Sequence, residues 1–73
     1  MVDVLAKDVQ PEAQSALSSS PIFDLRDIHV EATESGLLLQ GRVTTFYHKQ
    51  LAQEAVRAIA DGIDVRNDIN VDD

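Results

Sequence analysis

The sequence contains no cysteine and no tryptophan. Without thiols there is no disulfide framework and no thiolate metal site, and the redox compartment is left unmarked. Basic residues are scarce. Six Lys+Arg stand against thirteen Asp+Glu, a formal charge of −7. That field repels nucleic-acid phosphates and anionic lipid headgroups at long range, and the six cations (Lys7, Arg26, Arg42, Lys49, Arg57 and Arg66) are scattered along the chain. No nucleic-acid partner is expected. Long apolar runs are also missing, with nothing near the ~20 residues that a membrane span requires. The first residues, with Asp3 and Lys7, show neither the apolar run nor the small-residue cleavage site of a secretory signal. As written, the chain is expected to be cytoplasmic.

What is there fits one domain. The 73 residues are 44% hydrophobic and 26% charged, ordinary values for a globular chain. A domain this short buries only about 60% of the surface its unfolded chain exposes. Its core is thin, so no cofactor-sized cavity and no cofactor are expected, and any binding belongs on the surface or at an oligomer contact.

The hydrophobic pattern predicts five elements. A helix is expected from Asp8 to Ser18, capped by Asp8, with Pro11 in its first turn and Val9, Ala13, Ala16 and Leu17 on one face. Ser18, Ser19 and Ser20 followed by Pro21 end it. Residues 26–33 alternate, with Ile28, Val30 and Ala32 on one side, and 37–43 alternate again, with Leu37, Leu39, Gly41 and Val43 together. The turn Glu34-Ser35-Gly36 joins them into an antiparallel hairpin. Thr44 or Thr45 can cap a second helix to about Ala60. Its stripe runs from Tyr47 or His48 through Leu51, Ala52, Ala55, Val56 and Ile59, and Gly62 forms its left-handed cap. A third strand is expected over Ile63–Val71. The order is α-β-β-α-β, an α+β domain with two helices on one face of a three-stranded sheet. Residues 1–7 read as a loose tail, 8–71 as the domain and 72–73 as an acidic end.

With the elements placed, Gly36-x-x-Leu39-x-Gly41-x-Val43, Tyr47-x-x-x-Leu51-Ala52-x-x-Ala55, Gly62-Ile63 and Val65-x-Asn67-x-Ile69-x-Val71 together resemble the BON domain, named for bacterial osmotic-stress and nodulation proteins. The resemblance spans Val9 to Val71 in a single copy. It departs from the family spacing at one turn, where only Asp64 separates Ile63 from Val65. It implies a mixed sheet, no catalysis, and contact with phospholipid or other cell-envelope components. The family would place the protein in the envelope or periplasm.

The residues themselves offer little chemistry. His29 and His48 have no partner at a metal-ligand spacing, no Ser or Thr has a recognisable His partner, and no phosphate loop is present. Asp68, Asp72 and Asp73 do not match a Ca²⁺ loop. A KH-type nucleic-acid domain would need a Gly-x-x-Gly loop and a basic surface, and both are absent. No enzyme and no metal site are expected.

The candidate binding residues are Phe23, Phe46, Tyr47, Leu38 and Arg42; Gly36, Gly41, Gly62 and Asn67 are read as structural. Phe23 and Phe46 are expected to close the edge of the core; if both were exposed they would form an apolar patch suited to lipid or a partner. Tyr47 is expected to bury its ring and keep its hydroxyl wet. Gly41 is expected to let the second helix approach, with Ala52 or Ala55 opposite, and Asn67 to pin the turn around Gly62. Leu38 and Arg42 lie on the helix-free sheet face. Two readings follow: a module that contacts phospholipid or envelope components, or one for protein contact or homo-oligomerisation through the free sheet face or edge.

Overall fold

The computed structural model describes residues 5–72. Its order is α1 (Ala6–Ser18), a short 3-10 turn (Phe23–Leu25), β1 (His29–Ala32), β2 (Leu37–Val43), α2 (Phe46–Ile59) and β3 (Val65–Val71). The sheet runs β1-β2-β3, antiparallel between β1 and β2 and parallel between β2 and β3. This is the expected α-β-β-α-β domain with a mixed sheet, and β2 is its centre.

Alternation puts one side of every strand against the helices. Leu37, Leu39 and Val43 of β2 are buried, with Val30 of β1 and Ile69 of β3 beside them. Ala13 and Leu17 of α1 and Ala52 and Val56 of α2 close the layer from above. Burying each Leu or Ile contributes about 1.5–3 kcal/mol. The opposite sheet face carries Glu31, Gln40, Arg42, Arg66, Asp68 and Asn70, all exposed.

Boundaries differ from the sequence pattern in instructive ways. α1 begins at Ala6, with Leu5 as N-cap and no side-chain cap. Asp8 therefore sits in the first turn and does not cap. Ala6 and Val9 pack on the core, and that burial starts the helix two residues earlier although Pro11 now falls inside it, where it removes one backbone hydrogen bond. Ala6 and Lys7 thus belong to the helix rather than to the expected tail; residues 1–4 and Asp73 lie outside the described residues. Thr45 is the cap of α2, accepting the His48 N–H at 3.0 Å. The apolar stripe of α2 begins at half-buried His48, not at Tyr47.

Two glycines position the turns. A Cβ on Gly36 would lie 2.1 Å from the Asp64 carbonyl oxygen, so only glycine lets the chain entering β3 pass this close. A Cβ on Gly41 would meet Ile28 Cα at 3.3 Å and the Asp27 carbonyl oxygen at 3.5 Å. The close approach at Gly41 is thus from the backbone leading into β1, not from Ala52 or Ala55. The missing side chain leaves room on one side of the strand, and there the chain entering β1, not the helix, supplies the nearest atoms.

Candidate functional site

The chain has two phenylalanines and one tyrosine, and all three are exposed: Phe23 at 77%, Phe46 at 61% and Tyr47 at 65%. Phe23 and Phe46 do not close the edge of the core, and Tyr47 does not bury its ring. The core needs none of them, because Leu25 and Ile28 seal that end with aliphatic side chains. Phe23 instead opens the 3-10 turn, and Phe46 and Tyr47 open α2 just after its cap.

A single carboxylate binds these two segments together. Asp24 Oδ2 accepts the Thr44 N–H at 2.7 Å and the Thr44 hydroxyl at 2.8 Å. It also contacts His48 Nδ1 at 2.7 Å, where the ring N–H donates to the ionised carboxylate. The Thr44 N–H, His48 and the Thr44 hydroxyl together hold the Asp24 carboxyl below its ordinary pKa, against a smaller opposing effect of burial. Asp24 neighbours Phe23, and Thr44 and His48 flank Phe46 and Tyr47, so the clasp brings the three aromatic positions to one end of the domain.

The loop before Phe23 is fixed in the same manner. Ser20, nearly buried, accepts the Ile22 N–H on its hydroxyl at 3.0 Å, and its carbonyl accepts Arg26 Nε at 2.8 Å. The Arg26 guanidinium then stands 5.5 Å from the centre of the Phe23 ring. Tyr47 and His48 have ring centres 5.9 Å apart and tilted. The result is a rim at one end of the domain where Phe23, Phe46 and Tyr47 stand exposed on hydrogen-bonded segments, with Arg26 over the Phe23 ring. Asp24 was not singled out by the sequence pattern, since its partners lie 20 and 24 residues away and no local motif announces them.

The other sequence candidates are elsewhere. Leu38 is half-buried on the helix-free face. Arg42 is exposed on the same face, 3.7 Å from Asp72, a contact of little energetic weight. Asn67 does not pin the Gly62 turn. Its carboxamide nitrogen donates to the Lys49 carbonyl at 2.9 Å and to Gln53 Oε1 at 3.1 Å, and its oxygen accepts the Ile69 N–H at 3.1 Å. It fastens β3 to α2. Gly62 takes the left-handed conformation, φ +81°, with open space around it. An open surface cleft of about 730 Å³, outside the buried core, lies at the opposite end, between the start of α1, the 33–36 turn and Gly62–Asp64. Among the described residues no helix is long and apolar enough to cross a membrane, and no three His, Asp or Glu side chains gather where they could hold a metal.

No curated protein matches this chain in sequence. The family model of the BON domain matches residues 6–73, nearly the full length, over the α-β-β-α-β order just described, and the chain belongs to the BON-domain family.

Proposed function

We propose that this domain is a non-enzymatic binding module that contacts phospholipid surfaces by inserting Phe23, Phe46 and Tyr47. Membership of a family of binding modules supports the general reading. The observation that carries the specific one is the placement of every aromatic residue of the chain on one clasped, exposed rim. Exposed large apolar side chains grouped together mark interaction sites in a domain whose core is already closed. Burying a Phe side chain contributes about 1.5–3 kcal/mol, so two inserted rings and a tyrosine at the headgroup level suffice for reversible attachment.

The net charge of −7 shapes the reading. Long-range attraction to anionic lipid is unavailable, so the rim has to act by apolar insertion, with Arg26 as its local cation. Binding to zwitterionic vesicles is therefore expected to be at least as strong as binding to anionic ones.

Tyr47 is the chain's sole tyrosine in a sequence without tryptophan, so its fluorescence reports the rim alone. Phosphatidylcholine vesicles with brominated acyl chains are expected to quench it. The Phe23→Ser/Phe46→Ser variant is expected to lose that quenching while keeping the far-UV dichroism of the parent. Fluorescence that vesicles of either charge leave unchanged would exclude the lipid reading.

A further inference from the structure

The two edges of the sheet are finished differently. At the β1 edge, Gln10 Nε2 donates to the Val30 carbonyl at 2.7 Å, Gln14 Nε2 donates to the Ile28 carbonyl at 2.8 Å, and the Val30 N–H donates to Gln14 Oε1 at 2.8 Å. These glutamines of α1 satisfy the backbone groups that point away from β2. The β1 strand is also only four residues long. Covering and shortening are the usual ways to keep an edge from pairing with another chain.

At the other edge, β3 has seven residues in unbroken register with β2. It contains no proline and no bulge. The Asp64 carbonyl accepts from Leu37 and the Asp72 N–H donates to Val43, so the even-numbered residues face β2. In a parallel ladder the alternate residues then point the other way. Val65, Asn67, Ile69 and Val71 present their N–H and C=O groups outward. Among the described residues no strand pairs with them. Asn67 alone intervenes, with its carboxamide oxygen on the Ile69 N–H.

We propose that the β3 edge pairs with β3 of a second copy of this chain, antiparallel about a two-fold axis at Ile69, to make a continuous six-stranded sheet. Side-chain charge disfavours the two registers next to this one. With Ile69 on the axis, Arg66 stands opposite Asp72 of the second copy, Asp72 opposite its Arg66, and Asp68 opposite its Asn70. Only odd-numbered positions point outward, so registers move in steps that shift the axis by one residue. Centring on Asp68 sets Asp68 against itself, and centring on Asn70 sets Asp68 against Asp72 of the second copy; both oppose like charges in an already acidic chain. Arg66 and Asp72 fall at a non-hydrogen-bonded pair, where side chains approach most closely. Both are exposed on the open face and carry only loose intrachain contacts, 3.3 Å from Arg66 to Asp68 and 3.7 Å from Arg42 to Asp72. In the dimer the Ile69 N–H exchanges the Asn67 oxygen for the Ile69 carbonyl across the axis. One strand pair buries little surface, so the association is weak and salt-sensitive.

The test is sedimentation velocity without lipid, from about 10 µM to about 1 mM protein at low salt. The mass is expected to rise toward twice the 8.0 kDa chain. Val71→Pro removes an outward N–H and no bond to β2, so the variant keeps its fold and is expected to stay at monomer mass. Arg66→Asp is expected to do the same by placing like charges together, and Arg66→Asp/Asp72→Arg to recover association because the pair is rebuilt across the axis. A parent that remains a monomer at the highest concentration overturns the proposal, leaving the edge to some other extended chain. So does a Val71→Pro variant that still dimerises. A double variant that stays monomeric overturns the register. None of these outcomes bears on the rim, whose vesicle test is read separately.

Discussion

The core and the aromatic rim divide the apolar residues by kind. The buried cluster is built from Ala, Leu, Ile and Val alone, while every Phe and Tyr lies outside it. Aromatic side chains are the largest single gain available to a small core, and a domain with so little buried surface leaves them in water. The contrast says that stability and recognition are carried by different residues here. A truncation in one region should be nearly silent in the other.

The largest expected effect follows directly. Leu39 is fully buried on the central strand, so Leu39→Ala is expected to cost about 2–5 kcal/mol in chemical denaturation. That is a large share of the roughly 4–11 kcal/mol expected for a domain of this length. The same truncation at Phe46, exposed at the start of α2, is expected to stay within about 0.5 kcal/mol. If Phe46→Ala destabilises as much as Leu39→Ala, the rim is part of the core and the division fails.

Asn67 sharpens the contrast from the polar side. It serves three partners at once and hydrogen-bonds β3 to the first turns of α2 through Lys49 and Gln53. Asn67→Ala removes those bonds and leaves the Ile69 N–H without its side-chain acceptor. The expected cost is about 1–3 kcal/mol, measured in the same denaturation series, with Tyr47 fluorescence quenching by vesicles retained in the folded fraction. A change below experimental scatter would mean that water replaces Asn67 at no cost.

Periodicity made much of this legible. The alternation of 37–43 and of 65–71 fixed which side of each strand is buried, and Val30, Leu37, Leu39, Val43 and Ile69 all fall on the face it indicates. The helical stripe likewise selected Ala13, Leu17, Ala52 and Val56. What pattern does not carry is the neighbour across a gap. Gly41 reads as a close approach, but whether helix or strand approaches depends on the third dimension. Asn67 reads as a polar residue in need of a partner, and its partners lie 14 and 18 residues away. Phe23 and Phe46 read as core because aromatic residues usually are; only the finished aliphatic core shows that they are surplus. The Asp24 clasp and the α1 glutamines against the β1 edge were invisible for the same reason, being contacts between segments that no local spacing encodes.

The clasp gives the smallest and most selective effect. Asp24 is the group that orders the rim, and its carboxyl is held below the ordinary pKa, first by the Thr44 N–H, then by His48 and the Thr44 hydroxyl. A carboxyl whose folded pKa is depressed adds stability above its unfolded pKa and loses it as pH falls through the lower, folded value. The window thus lies below the ~3.9 of a free aspartate, and rim and core should separate there. The Thr44 amide signal, followed by NMR during acidification, is expected to move with a midpoint below that value while the amide of Leu39 stays fixed. In Asp24→Asn no carboxyl remains to titrate, so the Thr44 transition is expected to vanish. A midpoint at or above the free-aspartate value would mean that the three contacts to Oδ2 do not persist in solution, and that the rim is held by Ser20 and Arg26 alone.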